Sequence, residues 1–161
     1  MNKYMRLLVS AALLTVAATA LAKNPNTGNV HFNDDPEFAD EGVTLSISGT
    51  LYGLGSGDIE IVLSGTGDTE TTCTSPGGNE APGQNPGSAD VQGTLSIPEG
   101  EITNGHVDFA LVTQPPADPS GKQGGCPNNR WDAEIIDVAF ETATIEVFQG
   151  GSLVLRETFE L

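Results

Sequence analysis

Positive charge is the scarcest thing in this sequence. Six Lys and Arg stand against 22 Asp and Glu in 161 residues, a formal net charge of −16 at pH 7. A field of that sign repels nucleic acid and anionic lipid, so no nucleic acid is expected as a partner, and it attracts cations and basic partners while favouring solubility. Aromatic residues are few, with a single Trp, and a membrane barrel, whose outer face carries aromatic girdles, fits poorly. Past residue 22 no run approaches the roughly 18 apolar residues of a membrane span. No stretch there keeps the i, i+3, i+4, i+7 apolar stripe of an amphipathic helix either. Without helices, Gly53, Gly55 and Gly57 have nothing to receive a dinucleotide phosphate, and no Gly-x-Ser-x-Gly elbow is present, which removes two common enzyme folds. His31 and His106 are isolated from one another in sequence, a poor basis for zinc.

What is present begins at the N-terminus. Lys3 and Arg6 precede an apolar stretch from Leu7 to Ala18, and Ala20-Leu21-Ala22 supplies small residues where a signal peptidase reads them, the pattern of an export signal cleaved after Ala22. Residues 1–22 are therefore expected to be removed, leaving residues 23–161 as one secreted or periplasmic domain. In that oxidising setting Cys73 and Cys126, the two cysteines of the chain, are expected to form one disulfide.

The remaining pattern is period-two alternation broken by Gly, Asn and Pro, which argues for strands. Val43, Leu45 and Ile47 form one apolar row, Ile59, Ile61 and Leu63 a second, Val91, Leu95 and Ile97 a third, and Val107, Phe109 and Leu111 a fourth. From Ile135 to Phe148 β-branched and aromatic residues dominate, with a parity switch near Glu141 to Ala143 that suggests a β-bulge. Gly150-Gly151 reads as a two-residue hairpin turn before Leu153 to Leu161. The fold class expected is all-β, a single antiparallel β-sandwich, Ig-like or a related Greek key, of about seven to nine strands, with a barrel as runner-up.

Counting strand directions from a turn at Gly67-Asp68 puts the loop 75–88 and the loop 114–129 at one end of the sandwich, and 52–58 with them. A disulfide requires the first two to coincide, since Cα atoms more than about 7 Å apart cannot be bridged. Both loops are rich in Pro, Gly and Asn and cannot build an apolar core of their own, so they must be held from outside.

The run Cys73-Thr74-Ser75-Pro76-Gly77-Gly78-Asn79, then Ala81-Pro82-Gly83-Gln84-Asn85-Pro86, with Cys126-Pro127-Asn128 shortly before Trp131, resembles a group of small exported bacterial proteins of unknown function. The likeness extends to Gly53-Leu54-Gly55 with Asp58 and to Asp137-Val138-Ala139-Phe140, so it covers most of residues 23–161. It implies the framework and brings no activity, cofactor or site residue with it.

Candidate site residues follow from chemistry alone. Asn79, Gln84, Asn85, Lys122, Arg130 and Trp131 are the candidate ligand-binding set, because amides, cations and a Trp give polar handles and large contact area. Trp131 has a second reading, as packing beneath the disulfide. Asp34, Asp35 and Glu37 belong to the densest acidic group and are the candidates for weak calcium binding, although the spacing matches no EF-hand loop. No other cofactor is expected. The resulting expectation is a non-enzymatic binding or structural module whose partner is an extracellular protein or glycan. The alternative is a secreted hydrolase of polysaccharide using carboxylate pairs such as Glu99 and Glu101 or Asp132 and Glu134, which an i, i+2 spacing would place on one strand face. Assembly through the terminal strand Leu153 to Leu161 is a third course.

Overall fold

The computed structural model describes residues 15–16, 19–23, 29–84 and 86–161; most of the expected export signal and Asn85 lie outside the described residues. In chain order the strands are β1 (Thr15–Val16), β2 (Thr19–Lys23), β3 (His31–Phe32), β4 (Glu37–Asp40), β5 (Leu45–Tyr52), β6 (Ile59–Thr74), β7 (Glu80–Pro82), β8 (Ser88–Ile97), β9 (His106–Val112), β10 (Asp132–Gln149) and β11 (Ser152–Glu160). A 3-10 turn at Glu99–Glu101 joins β8 to β9. Every pairing is antiparallel.

Two sheets result, as the alternation predicted. In the first, β5 is flanked on one side by β3 and β4 and on the other by β9, and β1 lies outside β4. In the second the order is β2, β11, β10, β6, and the far side of β6 carries β8 along Ile59–Asp68 and β7 along Thr72–Thr74. The sheets face each other across one apolar core containing Phe38, Leu45, Leu51, Ile61, Leu63, Phe109, Ile145 and Phe159. Along the β8 and β9 side they are drawn together, with the Gln114 N–H donating to the Gln92 carbonyl at 2.8 Å, which curls the sandwich toward a half-barrel.

The turn expected at Gly67-Asp68 does not form: β6 runs straight through it for 16 residues. Ile59, Ile61, Leu63, Gly65, Gly67, Thr71 and Cys73 all point inward and are buried. Gly67 is not a turn glycine, because its φ is not positive. A Cβ there would lie 2.3 Å from the Ala139 carbonyl oxygen, so glycine marks a close backbone approach inside the strand. The correction moves residues 52–58 to the end opposite the cysteines. There the Leu54 N–H bonds the Gly105 carbonyl and the Gly150 N–H bonds the Asp58 carbonyl. The two loops still share an end, because β6 rises to Cys73 in one unbroken strand.

The bulge near Glu141 is present, as a register shift between Phe140 and Thr142 against β6. A second shift, between Ile135 and Asp137, leaves Ile136 pointing outward and 48% exposed. Together they carry the inward row of β10 from Ala133 to Val138 and Phe140 and then to Ala143, Ile145 and Val147. Gln149 pairs with Ser152, and Gly150 and Gly151 take φ of 57° and 80°, the conformation that a two-residue hairpin matched to strand twist demands.

Candidate functional site

The end of the sandwich where β6 finishes and β10 starts is built around the bond between Cys73 and Cys126, which are 53 residues apart in sequence with Cα atoms 5.6 Å apart. Cys73 pairs in register with Ala133 on one side and Ala81 on the other. Cys73, Cys126 and Ala133 form a small second core, and Trp131 packs against it half-buried. The indole thus caps the disulfide, the packing reading of this residue.

The loops are braced by more than sulfur. Thr71, on the inward face of β6 and 1% exposed, donates its hydroxyl to the Gly124 carbonyl at 2.6 Å. The Gly83 N–H donates to the Thr71 carbonyl and the Gln84 N–H to the Gly125 carbonyl, each at 2.9 Å. Buried backbone groups of loops need such partners, because water cannot reach them. The contacts are close enough to require glycine: a Cβ on Gly83 would lie 2.0 Å from Thr71 Oγ1, and one on Gly125, at φ +77°, would lie 2.5 Å from the Gln84 nitrogen. Sequence reasoning did not single out Thr71, Gly83, Gly124 or Gly125. The signal was there for Thr71 in its parity with Ile59 to Leu63, but only if β6 is read as one strand.

Of the candidate binding residues, Gln84, Lys122, Arg130 and Trp131 come to this end, and Asn79 lies in the adjoining turn. The Asn79 N–H donates to Ser75 Oγ at 2.9 Å. The second loop is held in shape by its own asparagines, with the Lys122 N–H donating to Asn129 Oδ1 at 3.0 Å and the Arg130 N–H to Asn128 Oδ1 at 2.9 Å. Their side chains are left exposed: Asn79, Gln84, Lys122 and Arg130 all face solvent. Asn85 is outside the described residues.

The acidic candidates are elsewhere. Asp34, Asp35 and Glu37 line a shallow depression of about 200 Å³ on the outer face of the first sheet, with Ser48, Gly49, Thr50 and Tyr52. Among the described residues no three His, Cys, Asp or Glu side chains are grouped to hold a metal ion. The histidines that the sequence separates are brought to either side of Tyr52, with ring centroids 6.0 Å (His31) and 5.7 Å (His106) away. Strand register does this, since His31, Tyr52 and His106 lie opposite one another on β3, β5 and β9. The carboxylate pairs sit at opposite ends. Asp132 and Glu134 are exposed on β10 beside the disulfide, and Glu99 and Glu101 are exposed in the 3-10 turn, where an i, i+2 spacing no longer shares a face. A broader concavity of about 620 Å³ at that second end is lined by Asp58, Glu60, Ser96 and Phe148. The Asp58 carboxylate there is committed to the Glu99 N–H at 2.9 Å.

No helix among the described residues is long and apolar enough to cross a membrane. The disulfide is compatible with an extracellular or periplasmic setting. Comparison with protein families, with curated proteins and with solved structures finds no match to this chain.

Proposed function

We propose that this protein is an exported, non-enzymatic binding module, processed after Ala22, which presents the disulfide-tied loops to an extracellular protein or glycan. The observation that supports it is the bracing of these loops: Thr71, Gly83, Gln84, Gly124 and Gly125 tie them to β6 and to each other. Lys122, Arg130, Gln84 and Asn79 are left exposed on top. Loops fixed before contact lose little freedom on binding, which is how a small polar surface reaches useful affinity. Lys122 and Arg130 share this end with the exposed carboxylates of Glu80, Asp132 and Glu134, so it offers both donors and acceptors to hydroxyl-rich groups.

The test is to screen purified protein against an immobilised glycan panel and against chromogenic glycosides. The expected result is saturable binding without release of chromophore, weakened at least ~10-fold by the double variant Lys122→Ala/Arg130→Ala, in which two exposed charge contacts are lost. Turnover of any glycoside would overturn the reading, as would binding that is indifferent to the double variant.

A further inference from the structure

The side of the sandwich opposite the β8 and β9 seam is closed in an unusual way. The first sheet ends at β4 and the second at β11, and one short stretch of chain covers both edges. Thr15 and Val16 pair with Ala39 and Phe38 of β4, and a few residues later Lys23, Ala22, Ala20 and Thr19 pair with Glu157, Thr158, Phe159 and Glu160 of β11. This stretch overlaps the export signal expected from the sequence. Cleavage after Ala22 would remove all of β1 and leave Lys23 alone of β2.

That cleavage would bare a specific place. Phe38 and Phe159 are 3% and 0% exposed, with ring centroids 5.1 Å apart, and they meet across the side that the stretch covers. Without residues 15–22 the backbone of β11 from Thr158 to Glu160 loses the strand that pairs with it in this structure, beside an apolar seam. A bare edge of this kind is a template for another strand. We propose that in the exported protein this edge is taken by β11 of a second copy of the chain, so that the second sheet continues across a two-fold dimer.

The side chains of β11 select the register. Opposed residues in an antiparallel ladder share a face. Two identical strands continuing one sheet therefore pair about a residue, because a centre between two residues would set outward residues opposite inward ones. Leu155 and Phe159 are buried while Arg156 and Glu160 are exposed, so Arg156, Thr158 and Glu160 make the outer row. Centring the pairing on Arg156 or on Glu157 puts like charges face to face. Centring it on Thr158 puts Arg156 opposite Glu160 of the second copy, twice, with the Thr158 hydroxyls between them. Arg156 already bonds Glu146 on the neighbouring strand, and the dimer would seat it between two carboxylates. The pairing runs from Arg156 to Glu160, and four of those five residues, Glu157 to Glu160, are the ones that β2 covers in this structure, so one edge serves first the signal segment and then the second copy. The inference is independent of the loop end and rests on removal of residues 15–22.

The experiment uses protein recovered after export from living cells, with its N-terminus read by mass spectrometry and its mass measured by sedimentation over a concentration series. Two chains of this net charge repel at long range, so the series is run at physiological ionic strength, where the Debye length is about 8 Å. The expected result is a chain beginning at Lys23 that is dimeric. Glu160→Arg, an exposed change that leaves the core and the near-ultraviolet circular dichroism intact, should weaken the dimer at least ~10-fold by setting like charges opposite one another twice. The double variant Arg156→Glu/Glu160→Arg should recover much of that loss. Three results would overturn the proposal: an exported chain that keeps Thr15 and Val16, a chain starting at Lys23 that stays monomeric throughout, or a dimer indifferent to Glu160→Arg.

Discussion

At the disulfide-tied end the chain makes two long excursions, residues 75–87 and 113–131, whereas at the other end it reverses within Gly150-Gly151 and within the 3-10 turn at Glu99–Glu101. The short turns need little outside help. Their geometry is set by backbone preference and by strand register, with a few side chains, Asp58 and Gln149, closing the gaps. The long loops carry too little apolar surface to hold themselves, and the molecule supplies a covalent bond, a buried hydroxyl and glycines with no room for a Cβ. Length of loop, more than position in the fold, decides which ties are required.

Substitutions should expose that difference in graded fashion. The largest effect is expected from opening the disulfide: Cys73→Ser/Cys126→Ser frees a 53-residue separation, which the chain-entropy account equates to about 4 kcal/mol. Thermal melting should fall by on the order of 10 °C, and limited proteolysis should cut at 75–87 and 113–131 before it touches the Gly150-Gly151 turn. Equal cutting at both ends would break the comparison. Next, Gly83→Ala drives a Cβ toward Thr71 Oγ1 and should cost about 1–3 kcal/mol in a denaturant titration. By contrast, alanine at Gly100, which meets nothing within 4 Å, should change little. Thr71→Val keeps the shape but leaves the Gly124 carbonyl without its donor. A loss of about 1–3 kcal/mol is expected, seen as a lower urea midpoint at unchanged slope. The smallest change is expected at the opposite end. Gln149→Ala removes the bonds to the Gly55 N–H and carbonyl, but these are exposed, so the shift should stay below about 1 kcal/mol. A larger shift there than at Thr71 would reverse the ranking.

How far the sequence could be read depended on whether a residue's neighbours were local. Apolar parity in β5, β8 and β9 and the glycine pair at 150 and 151 identify strands and a hairpin because the controlling contacts lie within a few residues. The bulge near Glu141 was legible for the same reason, as an interrupted period. Gly67 was not, since nothing nearby in sequence distinguishes a turn glycine from one pressed against the Ala139 carbonyl of another strand. That single ambiguity also displaced 52–58 to the wrong end. The cysteines survived it, because their coincidence at one end does not depend on how many turns lie between Ile59 and Cys73. At the candidate site, exposed Lys122 and Arg130 could be named from residue type. The bracing by Thr71 and Gly124 could not, because it joins positions 53 apart. The row of His31, Tyr52 and His106 was likewise hidden, being created by the pairing of three strands.

The uninterrupted course of β6 carries a consequence for how the molecule breathes. It is flanked along its whole length by β10 on one side and, on the other, by β8 along Ile59–Asp68 and β7 along Thr72–Thr74, with Thr69 and Thr71 bonded between them to Gly87 and Gly83, so its inner amides lie away from any open sheet edge. Deuterium should enter the inner part of β6 only when the whole domain opens, and its uptake there reports the global free energy of the protein, while the loops it anchors exchange on their own clock.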